Sequence, residues 1–88
     1  MSKIIWKFPL EIKDVQIIRL PINHKILTVQ LQNRTPCLWV MVNPEVSMEE
    51  IVIEIIGTGN PIEPGEREYI STFQLFEGEL VYHVFKRL

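Results

Sequence analysis

The clearest pattern in the chain lies at residues 25–32, where Leu27, Val29 and Leu31 alternate with Thr28, Gln30 and Gln32. Successive side chains of a strand point to opposite faces, so this segment predicts a strand with one buried and one polar face. Residues 3–8, ended by Pro9, and residues 15–20, stopped by Pro21, Ile22 and Asn23, predict two earlier strands bounded by turn chemistry. The turn Asn33, Arg34, Thr35, Pro36 leads into residues 37–42, which are apolar at every position. Such a run fits a strand covered on both sides or lying under a subunit contact, so it is placed at the centre of a sheet. Asn43 and Pro44 break it. Ser47 and Glu50 have the spacing of a helix capping box, but Ile51, Val52, Ile53, Ile55 and Ile56 are β-branched and favour a strand over 51–56. Residues 69–76 and 79–86 read as a hairpin about Glu77 and Gly78.

Short strands joined by short turns predict one all-β domain over residues 1–88, a small antiparallel sandwich or open barrel of about seven strands. Composition agrees, since thirteen isoleucines, six prolines and no alanine disfavour helices and suit pleated surfaces. A chain of 88 residues buries roughly two-thirds of its unfolded surface, which makes for a thin core. Cys37 is the only cysteine, so no internal disulfide adds to that core, and a second subunit is the expected means of completing burial. A homo-oligomer, dimer or tetramer, is therefore expected.

Hydrophobic residues make up 47% of the chain, which excludes a disordered tail, and no apolar run approaches the ~20 residues that span a bilayer. The expectation is a soluble protein with no membrane partner. A net charge of -2 argues against gripping long DNA or RNA, where neutralising phosphates with Lys and Arg dominates affinity. The opening Met1, Ser2, Lys3 and the mixed aromatics after it lack the apolar core of a secretory signal, so a reducing cytoplasm is the expected compartment.

The inventory for catalysis is poor. His24 and His83 are the side chains able to act as bases near neutral pH, and Ser71 and Thr72 sit beside no glycine elbow. His83, between Tyr82 and Val84, reads as a half-buried, hydrogen-bonded strand residue, and His24 as a solvated turn residue. Cys37, His24 and His83 show none of the close spacings of a zinc site, so no metal, no cofactor and no enzymatic activity are expected. Glu49, Glu50, Glu66 and Glu68 read as charged strand ends that keep edges soluble.

Residues 57–65 form the one long irregular segment and hold three of the four glycines and two of the six prolines. Glycines let backbone N–H groups approach an anion, so Gly57, Thr58, Gly59 and Asn60 are candidates to cradle a phosphate, although such a turn also serves purely local geometry. It is neither a dinucleotide fingerprint nor a Walker loop, because Pro61 and Pro64 block the helix that both require. Arg34 and Arg67 can supply forked donors to phosphate oxygens. Trp39 and Tyr69, with Trp6 and Phe73, can stack on a planar ring if they lie at a cleft or subunit seam, with packing in the core or at an interface as the alternative. Gln30 and Gln32 can bond base edges or stay solvated.

One further indication comes from the order of several segments: Leu20-Pro21, Lys25-Ile26-Leu27, Val29-Gln30-Leu31-Gln32, Pro36-Cys37-Leu38-Trp39, Gly57-Thr58-Gly59-Asn60-Pro61-Ile62, Tyr69-Ile70-Ser71-Thr72-Phe73-Gln74 and Leu80-Val81-Tyr82-His83-Val84-Phe85. In this order the chain resembles a widespread family of small bacteriophage and prophage proteins catalogued as a domain of unknown function. Small, β-rich, oligomeric phage proteins are similar in kind to the sponges by which phages sequester cyclic nucleotide immune signals, including the tetrameric anti-CBASS family. By that analogy the resemblance implies a non-catalytic sponge for a cyclic dinucleotide such as cyclic GMP-AMP, acting in the cytoplasm of the infected bacterium. Its site is expected to join residues 57–60, Arg34, Arg67 and aromatic walls from Trp39 and Tyr69. The alternative is a protein-interaction or structural accessory module that binds a host or virion protein.

Overall fold

The computed structural model describes residues 2–88, and all regular structure among them is β. The strands are β1 (Ile4–Pro9), β2 (Val15–Pro21), β3 (Lys25–Gln32), β4 (Thr35–Val42), β5 (Met48–Gly57), β6 (Arg67–Leu75) and β7 (Leu80–Arg87). Ser47 and Glu50 open no helix, and β5 begins already at Met48, as the β-branched run after them requires.

Every strand pairing is antiparallel, and the strands form a three-stranded sheet in the order β1-β4-β3 and a four-stranded sheet in the order β2-β5-β7-β6. The sheets face each other as a sandwich, not a closed barrel. The Cα trace measures 43 × 32 × 16 Å, and its short axis leaves room for two layers stacked roughly 10 Å apart and no third. Between them lie Val29, Leu38, Val40 and Val42 from one sheet and Leu20, Ile51, Ile53, Ile55, Phe73 and Val84 from the other.

The pleat of β4 explains its unbroken apolar sequence. Leu38, Val40 and Val42 point into the core and are at most 1% exposed, while Cys37, Trp39 and Met41 face outward from the middle of the smaller sheet. Neighbouring strands cover that outer row: Lys7 of β1 holds its ammonium 5.8 Å from the Trp39 ring centre and donates to Gln32 Oε1 of β3 at 2.7 Å.

Two bulges depart from simple alternation. In β3 the register shifts between Ile26 and Thr28, so Ile26 packs on the core in the place expected for Leu27, which is left 41% exposed. Val29 and Leu31 keep the face that alternation assigns them. In β6 the shift falls between Tyr69 and Ser71. The two bulged strands are the edges on the same side of the sandwich, and Ser71 joins them: its hydroxyl accepts from the Val29 N–H at 2.8 Å and lies 3.1 Å from Thr28 Oγ1. The other two edges, β1 and β2, pair on one side only.

β5 and β6 both run antiparallel to β7, hence parallel to each other, so the connection between them must return along the sheet. Asn60, Pro61 and Glu63 of this connection line a cleft together with Glu54, Ile56 and Arg87, which places the crossover on the outer face of the four-stranded sheet.

Removing the Ser71 hydroxyl leaves the Val29 N–H, on a residue only 2% exposed, without its acceptor. Ser71→Ala is expected to lower stability by about 1–2 kcal/mol in urea denaturation, whereas Thr28→Val, which spares that acceptor, is expected to lose under about 0.5 kcal/mol.

Candidate functional site

The bulge at Ile70 turns Tyr69 and Thr72 onto the same outer face, where their hydroxyl oxygens lie 2.7 Å apart. The Tyr69 ring is 57% exposed and stands edge-on to Phe85, with centroids 5.7 Å apart. From Thr72 the contacts continue to His83 Nδ1 at 3.0 Å, and from His83 Nε2 to Thr58 Oγ1 at 2.7 Å. Thr58 Oγ1 donates in turn to the Val81 carbonyl at 3.4 Å.

That carbonyl can only accept, so the arrangement that satisfies both contacts has the Thr58 hydroxyl donating to it and accepting from His83 Nε2–H. For a neutral ring, Nδ1 then accepts from Thr72, and Thr72 accepts from Tyr69. In this arrangement every hydrogen of the row is donated within the protein, and the exposed oxygens of Tyr69, Thr72 and Thr58 keep unused acceptor capacity. The row therefore suits a ligand that brings N–H or O–H donors to be accepted.

Cationic groups lie two residues from Tyr69 along β6. Glu54 points outward from β5, yet it is only 5% exposed because Arg67 and Arg87 close over it. Arg67 Nε donates to one carboxylate oxygen at 2.7 Å and Arg87 Nε to the other at 3.0 Å, and Arg67 Nη1 also donates to the Gly65 carbonyl at 3.3 Å. The Arg67 hydrogen bond does most to hold the Glu54 carboxyl below its ordinary range; burial pushes the other way, and Arg87 reinforces the lowering. Two guanidinium groups on one carboxylate leave one positive charge in excess, and the Arg87 side chain remains 46% exposed.

The turn over residues 57–60 sits at the head of the hydroxyl row. The Asn60 N–H donates to the Gly57 carbonyl at 3.1 Å and the Thr58 N–H to Val81 O at 3.0 Å, so both amides serve protein carbonyls. A Cβ on Gly57 would stand 3.0 Å from Asn60 Nδ2, so a larger residue there displaces the Asn60 side chain. Gly57, Thr58 and Asn60 line a cleft of about 470 Å³ with Glu79, Leu80, Val81 and Tyr82.

The structure thus brings Gly57, Thr58, Gly59, Asn60, Arg67 and Tyr69 to one face of one sheet or to the turn at its end. Arg34 stands apart on the β3/β4 turn, in a cleft of about 610 Å³ beside the β6/β7 hairpin. Trp39 lies on the outer face of the other sheet, half covered beneath Lys7. The sequence singles out neither Glu54 nor Arg87, and weighs Thr72 only as a nucleophile, not as a member of a hydrogen-bonded row. A lone carboxylate inside an isoleucine-rich strand was the available signal for Glu54; Thr72 gave none, because its face depends on the bulge.

These features define a small all-β sandwich domain with one open, polar and aromatic sheet face. The chain belongs to the DUF7352 family, a domain of unknown function, which matches residues 1–88. No curated protein and no solved structure matches it.

Because Glu54 has a lowered carboxyl pKa in the fold, its ion pairs stabilise the protein above the unfolded value of about 4.3, and that contribution is lost as pH falls through the lower folded value. Glu54→Gln is expected to reduce stability by about 3 kcal/mol near neutrality, and the gap to wild type should close below pH ~4 in urea titrations. The hydroxyl row predicts that the neutral form of the His83 ring carries its proton on Nε2, visible in the ring ¹⁵N shifts, and that Thr58→Val weakens this tautomer preference.

Proposed function

We propose that the protein is a phage-encoded, non-catalytic sponge that captures cyclic dinucleotide immune signals such as cyclic GMP-AMP in the cytoplasm of an infected bacterium and so blocks CBASS defence. The observation that carries this reading is the open face around Tyr69. It offers an exposed phenol ring on which a planar base can stack, a row of acceptor oxygens from Tyr69, Thr72 and Thr58 for base N–H groups, and the excess charge of the Arg67 and Arg87 pair for phosphate oxygens. The resemblance to phage proteins supplies the ligand class. No bond is broken: a sponge in molar excess lowers free signal below the threshold of its effector, so slow release matters more than any reaction rate.

A second reading, a module that binds a host or virion protein, is favoured by the unpaired edge of β2, where Ile17 is 62% and Val15 42% exposed. Such an edge accepts an added strand.

Calorimetry with cyclic GMP-AMP and a cyclic dinucleotide panel is expected to show binding, with the ligand recovered intact after the protein is heat-denatured. Tyr69→Ala should weaken binding at least tenfold, about 1.4 kcal/mol, while Tyr69→Phe retains the stacking share. Absence of binding across the panel, or recovery of hydrolysed ligand, overturns the sponge. A protein captured from infected cells and lost with Ile17→Lys, alongside that absence, selects the second reading.

A further inference from the structure

Two neighbouring hairpin tips hold side chains in a backbone conformation that ordinarily selects glycine. At the β3/β4 tip, Asn33 and Arg34 have φ of 53° and 67°, the left-handed pair of a type I′ turn whose second position is usually glycine. At the β6/β7 tip, Phe76 and Glu77 have φ of 52° and 53° ahead of Gly78 at 90°. A bulky ring in this region is a true outlier, and retained strain of this kind points to a use outside the fold's own stability.

The fold draws little from these side chains. Phe76 is 64% exposed, and among the described residues Arg34, Glu77 and Glu79 make no ion pair or side-chain hydrogen bond. Yet all four line one cleft, of about 610 Å³, floored by Leu31 and Leu75. Its rim therefore carries one unpaired cation and two unpaired carboxylates around an apolar centre.

We infer that this cleft is a two-fold contact between two copies of the chain. Phe76 of each copy enters the other's cleft against Leu31 and Leu75, and Arg34 of each faces the other's Glu77 and Glu79. A two-fold axis makes every contact occur twice with the roles exchanged, so a surface bearing both signs beside an apolar anchor is its own complement. Aromatic and arginine side chains are also the types that dominate the centres of protein contacts. The contact is independent of the ligand reading, because Tyr69, Thr72 and His83 lie outside this cleft.

Sedimentation equilibrium at low salt tests it with the wild type, Arg34→Glu, the double variant Glu77→Arg/Glu79→Arg, and an equimolar mixture of the two variants. The wild type is expected to sediment as a dimer, each variant alone as a monomer, and the mixture as a dimer again, since mixing restores both sets of opposite charges. Phe76→Asn, which suits the left-handed backbone, should keep the wild-type circular dichroism spectrum and sediment as a monomer. A monomeric wild type at all soluble concentrations, dimeric variants, or a mixture that stays monomeric overturns the proposal.

Discussion

The architecture turns on a one-residue offset in β6. Without the bulge between Tyr69 and Ser71, strict alternation would place Tyr69 and Thr72 on opposite faces of the sheet. The extra residue sets Ser71 at the seam with β3 and puts both neighbouring hydroxyls outside. A matching bulge in β3 meets it there, so that the two irregularities join the sheets on one side, while the β6 bulge alone composes the polar row on the outer face. Closure of the sandwich and the chemistry of its open face are thus coupled through a single serine and the register on either side of it.

The outer face is also where the fold places its least ordinary electrostatics. A carboxylate in the middle of an apolar strand would be costly if left alone, and Glu54 is accommodated because the ends of β6 and β7 each deliver an arginine to it. Arg67 and Arg87 sit opposite each other in the β6/β7 register, so the ion cluster also pins the start of one strand to the end of the next. The crossover that links β5 to β6 lines a cleft together with Glu54 and Arg87 of this cluster.

Much of the fold was legible in the sequence, because a period of two is a local signal and the Pro and Gly breaks bound each run. The central place of β4 was legible for the same reason: apolar residues on both of its faces imply neighbours on both sides. What escaped was whatever depends on register. Leu27 carries no mark to separate it from Val29, and only the bulge decides that Ile26 takes the inner position. The partners of Arg67 were equally hidden, since Glu54 and Arg87 stand 13 and 20 positions away along the chain and meet it only through sheet pairing.

The order of strands has a consequence for how the molecule is assembled. β7 follows β5 and β6 in the chain, yet it lies between them in the sheet, with β5 on one flank and β6 on the other. Until it arrives, β5 and β6 have no partner to hold them side by side, and hairpin-by-hairpin growth from the first strand stalls with half a sheet. Acquisition of the native state is therefore concentrated in one late, distant docking event, and the nascent chain must keep its isoleucine-rich edges from pairing elsewhere until that event occurs.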